Sequence, residues 1–199
     1  MRKTILAIEI VSVFTALIIR IWLVENNWLI LIILAGLIAS WKIRGDSLEK
    51  LGFSLGGLKS VPIFAFAPLA FAAIASLPLY GGNLPFKIGG SGLIFVQFGW
   101  AFLQQVILNS YFVNRLDSLM ENRHSVILLA GIIFATVHAP NPFLMIATGV
   151  GGIFLSFLFL KRRNIYEVAI IHVLVSASLY YGISSDIHHY FVVGPKFFR

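Results

Sequence analysis

Residues 142–160, PFLMIATGVGGIFLSFLFL, run for nineteen positions without a charge. About 20 apolar residues are what a helix needs to cross the hydrocarbon core of a bilayer. Working outward, similar runs occupy 165–184 on one side and 125–139, 92–113, 61–80, 28–43 and 5–24 on the other. The second and fifth of these seven runs, counted from the N-terminus, are short. The whole 199-residue chain is 59% hydrophobic and 12% charged, with a mean hydropathy of +0.92. Its 15 Lys and Arg and 8 Asp and Glu cannot cover that apolar surface in water, which excludes a soluble globular protein. The reading is an all-α polytopic membrane bundle of about seven transmembrane helices. Arg2 and Lys3 ahead of the first run imitate a secretory signal, but the run is too long and no small-residue cleavage site follows it, so it counts as the first span.

The connections test this count, because short cytoplasmic loops retain positive charge. When the loops alternate sides, eleven basic residues between Arg2 and Arg163 fall on one side. Lys87, Lys196 and Arg199 fall on the other, and Arg20 lies within the first span. The expected topology therefore has a cytoplasmic N-terminus. The net charge of +7 reads as this bias plus attraction to anionic lipid, with no nucleic-acid partner. The absence of cysteine removes disulfides, thiolate metal sites and a cysteine nucleophile. The stretch 44–60, with Gly52, Gly56 and Gly57, reads as a cytoplasmic linker. It divides a two-span preface at 1–43 from a helical core at 61–184, and an exterior tail follows at 185–199.

Polar groups inside the spans carry the chemical information, since each is costly against lipid. Glu9 and Arg20 lie about one turn from the ends of the first span, where snorkelling accounts for them. Glu167 suits the N-terminus of the last helix. Thr148, Gly152 and Ser156 make a small-residue ridge for close helix packing. His188 and His189 read as a solvated polar turn. The remaining polar residues are Gln104, Gln105 and Asn109 in the fourth span, His138 at the end of the fifth, and His172 with Ser176 in the seventh. Gln105 and Asn109 are one turn apart on a common face, as are His172 and Ser176. These groups should turn inward and satisfy one another as a cluster built from three helices. At about 1.5 Å per residue from the cytoplasmic ends, Gln104 sits near 14 Å, His172 near 10 Å and His138 near 20 Å, so their levels differ.

The order Gln104-Gln105-x-x-x-Asn109, Phe134-x-x-x-His138 and His172-x-x-x-Ser176, with a glycine-rich span between the histidines, resembles the CPBP intramembrane proteases. That family includes CAAX-processing and bacteriocin-immunity proteins and is sometimes called Abi. The resemblance covers about 92–184. It implies a membrane-embedded endopeptidase in which a glutamate activates water, the histidines and an asparagine stabilise the oxyanion or hold a metal, and a membrane-associated protein or peptide is cut. It also implies a multi-pass protein of a bacterial cytoplasmic membrane.

This sequence departs from the family's pattern at the chemistry. Gln104 and Gln105 replace a Glu pair, Asn109 an Arg and Ser176 an Asn, leaving Phe134, His138 and His172 as the matches. A carboxamide does not accept a proton as a carboxylate does, so Gln104 is not the general base. One reading keeps a hydrolase with His138 or His172 as the base and the glutamines orienting water or the oxyanion. Another makes the chain a catalytically inactive scaffold or accessory subunit whose polar cluster glues helices together. A third, engineered replacement of Glu by Gln, would leave Asn109 and Ser176 unexplained. No cofactor is assigned, and two histidines fall short of the three or four ligands of a stable zinc site.

Overall fold

The computed structural model describes residues 2–24, 28–54 and 91–199, with the helical positions 63, 65, 66, 69, 70, 73 and 74. The expected third span at 61–80 lies largely outside the described residues, as do 55–60 of the linker and the loop containing Lys87. The described residues are helical, with no strand among them.

Helices α1 (Arg2–Trp22) and α2 (Trp28–Arg44) occupy the first two expected spans. Helix α3 (Ser91–Gln105) continues without a break through a π-helical segment, Val106–Val113, into α4 (Asn114–Leu119). This helix thus continues six residues past the end of its apolar run. Then follow α5 (Arg123–Thr136), α6 (Pro142–Arg162) and α7 (Ile165–Gly182). The tail holds a single turn, α8 (Ser185–His188), and the 3-10 segments His189–Phe191 and Gly194–Phe198.

The starts of α5, α6 and α7 share one device. Asn122, Asn141 and Asn164 sit in extended conformation and their side-chain oxygens accept from His124, Leu144 and Glu167 backbone N–H groups at 2.9, 3.1 and 2.9 Å. An asparagine cap of this kind satisfies an amide that the helix leaves without an internal partner. Arg163 closes α6 in the left-handed region, its N–H bonding to the Phe159 carbonyl at 2.7 Å.

Packing of α5 on α6 uses the ridge read from the sequence. A side chain on Gly131 would meet the Gly149 carbonyl at 2.8 Å, and Gly152 lies against Gly131 and Phe134. The opposite face of α6 is apolar and open, with Ile146 71% and Val150 59% exposed while Thr148 and Ser156 are buried. Polar inside and apolar outside is the arrangement of a helix facing lipid. α1 from Lys3 to Trp22, α6 and α7 are long and apolar enough to cross a bilayer. The chain is an integral membrane protein.

Residues 46–54 do not hang free between spans. Leu51 is buried, its carbonyl accepting from Ser110 Oγ at 2.5 Å. Lys50 and Ser54 carbonyls accept from Asn114 and Asn164 at 3.0 and 2.8 Å. Gly52, at φ +84°, takes a conformation that favours glycine and lies close to the Phe159 ring, and its carbonyl accepts from the Ile165 N–H at 2.8 Å.

At the same end, Arg115 is 1% exposed and binds Glu9 at 3.2 Å, Asp46 at 2.7 Å and Ser40 at 2.8 Å, its guanidinium 5.5 Å from the Tyr111 ring. Arg44 joins Glu9 at 2.5 Å, and Lys50 joins Asp46 at 2.7 Å. Glu9 is therefore not a snorkelling acid but an ion-pair partner of two helices. Asp46 lies outside the spans; burial pushes its carboxyl up, but the hydrogen bonds and charges of Lys50 and Arg115 outweigh that and hold it below its ordinary value.

Candidate functional site

Helices α3, α5, α6 and α7 surround a cavity of about 450 Å³, with part of α1 and the tail completing its wall. Gln104, His138, His172 and Ser176 all line it. The cluster expected from three helices is thus one space.

Phe134 bridges the two histidines, its ring meeting His138 edge-on at 4.9 Å and His172 at 5.6 Å, while Gln105, next to Gln104, reaches His172 Nδ1 at 2.9 Å.

His138 has its tautomer set by the end of α5. The last turn tightens, with the His138 N–H bonding to the Ala135 carbonyl at 3.0 Å, so the Phe134 carbonyl is not taken by that amide. His138 Nδ1 lies 2.6 Å from that carbonyl. A carbonyl can only accept, so Nδ1 carries the proton and Nε2 carries the lone pair.

His172 is arranged in the reverse sense. Asn109 Nδ2 donates to Gln105 Oε1 at 2.6 Å, which turns the Gln105 amide nitrogen toward His172 Nδ1 at 2.9 Å. Gln105 then donates to Nδ1, and the imidazole proton sits on Nε2. Gln105 and Asn109 are wholly buried behind the wall. Of the two adjacent glutamines, Gln104 faces the cavity and Gln105 buttresses a histidine. The cavity thus holds one imidazole with an available lone pair, one whose lone pair is engaged, a carboxamide and a hydroxyl. That set can accept a proton and stabilise a developing oxyanion.

The donor set does not fit a zinc ion. His138 Nε2 is one neutral ligand, His172 Nδ1 is occupied, and no three His, Cys, Asp or Glu side chains come together among the described residues.

Sequence reasoning missed three parts of the wall. Arg20 lines the cavity, although its position in an apolar run was visible and was read as snorkelling. Thr148 lines the cavity, beyond its part in the ridge, and its hydroxyl donates to the Leu144 carbonyl at 2.6 Å. Tyr180, Phe191 and Val193 bring the tail to the cavity, which periodicity does not foretell. The histidine pair of the tail divides: His189 is exposed, as a solvated turn requires, while His188 is buried. His188 is 3% exposed, among the rings of Tyr180, Tyr190 and Phe191, and His189 packs on Phe197.

Residues 91–178 match the family model described as type II CAAX prenyl endopeptidase Rce1-like. The resemblance read from Phe134, His138 and His172 is shown over that segment, which is a little under half of the chain. No curated protein and no solved structure matches the chain.

Proposed function

We propose that this Rce1-like membrane protein is an endopeptidase with altered catalytic residues, cutting a membrane-associated protein or peptide with His138 as its base. The observation that carries the reading is the His138 Nδ1 bond to the Phe134 carbonyl, which leaves Nε2 as the proton acceptor in a cavity shared with Gln104, His172 and Ser176. His138 Nε2 removes a proton from water as the water oxygen attacks the peptide carbonyl carbon. The Gln104 amide and the Ser176 hydroxyl stabilise the oxyanion that forms. As the C–N bond breaks, the His138 imidazolium returns its proton to the leaving amine, so one water is consumed and an acid and an amine are released.

The chain is read as multi-pass, about seven spans with a cytoplasmic N-terminus, in a bacterial cytoplasmic membrane. The meeting of Arg44, Arg115 and Arg163 with Glu9, Asp46 and Asp117 at one end supports this sorting of the loops.

The test is cleavage of membrane-anchored peptide libraries by the reconstituted protein, read by mass spectrometry. His138→Ala should lower turnover by roughly 10²–10⁴-fold, the worth of a general base, in protein that remains folded. Full turnover in a folded His138→Ala protein would remove the proposed base. The buried Asn109–Gln105–His172 chain favours a second reading, an inactive scaffold held together by that network. On that reading Gln104→Glu gains no activity, and a stoichiometric protein partner accompanies the chain in its native mass spectrum.

A further inference from the structure

We propose that the tail fills a peptide-binding site of the cavity in cis. The Ala139 carbonyl and the Asn141 carboxamide recognise an extended backbone beside His138, and residues 188–194 hold that place until a peptide displaces them. The inference deepens the endopeptidase reading and rests on it for the identity of the displacing ligand.

Three observations carry it. First, the tail enters the cavity where His138 stands. Phe191 and Val193 line the cavity together with His138, and Val192 and Val193 are extended. The next N–H, that of Gly194, bonds to the Ala139 carbonyl at 2.9 Å, and Ala139 directly follows His138.

Second, the tail is held through its backbone. Asn141 is wholly buried, and its Nδ2 donates to the carbonyls of His188 at 3.0 Å and Val192 at 3.2 Å, while its oxygen caps α6. The Val192 carbonyl and the Gly194 N–H are two residues apart, which puts them on one edge of an extended chain. Backbone groups are common to all peptides, so an extended segment of another chain offers the same acceptor and donor at the same spacing. Main-chain bonds of this kind supply affinity, and side chains at alternate positions supply specificity. Phe191 and Val193 are those alternate positions. Gly194 adds a demand of its own, since at φ +64° a side chain there would come within 2.7 Å of the Ile21 carbonyl. The ligand class is therefore an extended peptide with apolar residues at alternate positions and glycine at the Ala139 contact.

Third, the tail holds the site at a cost. His189, Tyr190 and Phe191 have φ of +48°, +50° and +59°, three consecutive residues in the left-handed region and none of them glycine. L residues adopt that region reluctantly, and such a run persists where surrounding contacts impose it. Phe191 stacks on Phe143 at 6.3 Å and meets Tyr180 edge-on at 5.2 Å. A peptide that reaches Ala139 and Asn141 without a left-handed run makes the same hydrogen bonds free of that strain, which favours the exchange.

The experiment reads how well the tail protects the cavity. The chain has no cysteine, so Ala177→Cys places a single thiol on the cavity wall. Its reaction with a cationic, membrane-impermeant thiosulfonate is followed by mass spectrometry in lipid nanodiscs, using the full chain throughout. Adding Gly194→Ala should speed labelling about ten-fold or more, the effect of loosening the tail by one or two backbone hydrogen bonds. A synthetic peptide of residues 185–199 should slow it again toward the parent rate. The same peptide with glycolic acid in place of Gly194, which turns the N–H into an ester oxygen, should protect roughly five-fold less well. An unchanged rate in Gly194→Ala overturns the proposal, as does a failure of the peptide to protect or equal protection by its ester analogue. Should Gly194→Ala fail to fold, Asn141→Asp keeps the oxygen that caps α6 and removes both donors to the tail. Faster labelling is then the required result, and an unchanged rate overturns the proposal. The labelling and protection should be the same in a His138→Ala background. Absence of peptide hydrolysis in every variant would strike the endopeptidase reading, whereas hydrolysis with labelling indifferent to Gly194 would strike the docking site.

Discussion

Gln105 is where the two imidazoles acquire different roles. It donates to His172 and accepts from Asn109, and all of this happens out of reach of water. A buried polar group stripped of its partner costs about 1–3 kcal/mol. Gln105→Ala and Asn109→Ala should therefore each destabilise the protein by about that much. The double variant should fall short of the sum by about 0.5 kcal/mol or more, because the two residues share one network. Unfolding in mild detergent measures this, and strict additivity would mean the bond contributes nothing. The Gln105–Asn109 contact was legible, since residues four apart on a helix are neighbours. Which of two adjacent glutamines would face the cavity was not. That depends on the rotation of α3 against α7, which no local pattern encodes.

Elements decide how the polar groups align. The apolar run at 92–113 hides the fact that the helix goes on to Leu119, because Asn114, Arg115 and Asp117 read as loop residues when hydropathy alone is followed. Those six residues bring Arg115 to Glu9 and Asp46. The tail is the second such case, since His188 looks solvated until the fold supplies rings to cover it, while His189 and Lys196 stay exposed. Burial pushes the His188 imidazole below its ordinary value of 6.5, the carbonyls of Tyr180 and Ile183 pull it back in part, and His189 adds a further push down. A histidine whose folded value is lowered favours the neutral form. Its contribution is complete above the unfolded value and declines as pH falls through 6.5 toward the folded value. Amide exchange in 185–198, measured relative to α6, should speed up between about pH 7.5 and about pH 5.5. His188→Leu should remove most of that change; an equal acceleration in the variant would place the cause elsewhere.

At the scale of the whole molecule, Arg115 ties α1, α2, the 46–54 segment and α4 into one charged knot. Breaking a buried pair by removing one partner costs about 3–5 kcal/mol. Asp46→Asn, which deletes a charge that is 2% exposed, should lower stability at neutral pH toward that range. The acid limb carries the second signature. A carboxyl held below its ordinary value of 3.8 stabilises fully above that value and loses its contribution as pH falls through the folded one. The variant's stability curve should therefore be flatter than the wild type's below about pH 4. A parallel acid limb would show that another group governs it.

The sequence by itself determined that the chain is helical and membrane-embedded, because a charge-poor composition and long apolar runs leave no other way to satisfy the backbone in lipid. It also marked Gln104, His138, His172 and Ser176 as inward-facing groups, since each is costly against hydrocarbon. Only the tertiary structure decided which imidazole keeps its lone pair, that Arg20 faces the cavity and that Glu9 pairs with Arg115. Those outcomes depend on helix rotation, on where α4 ends and on how the tail folds back. They are set by contacts between residues far apart in the chain.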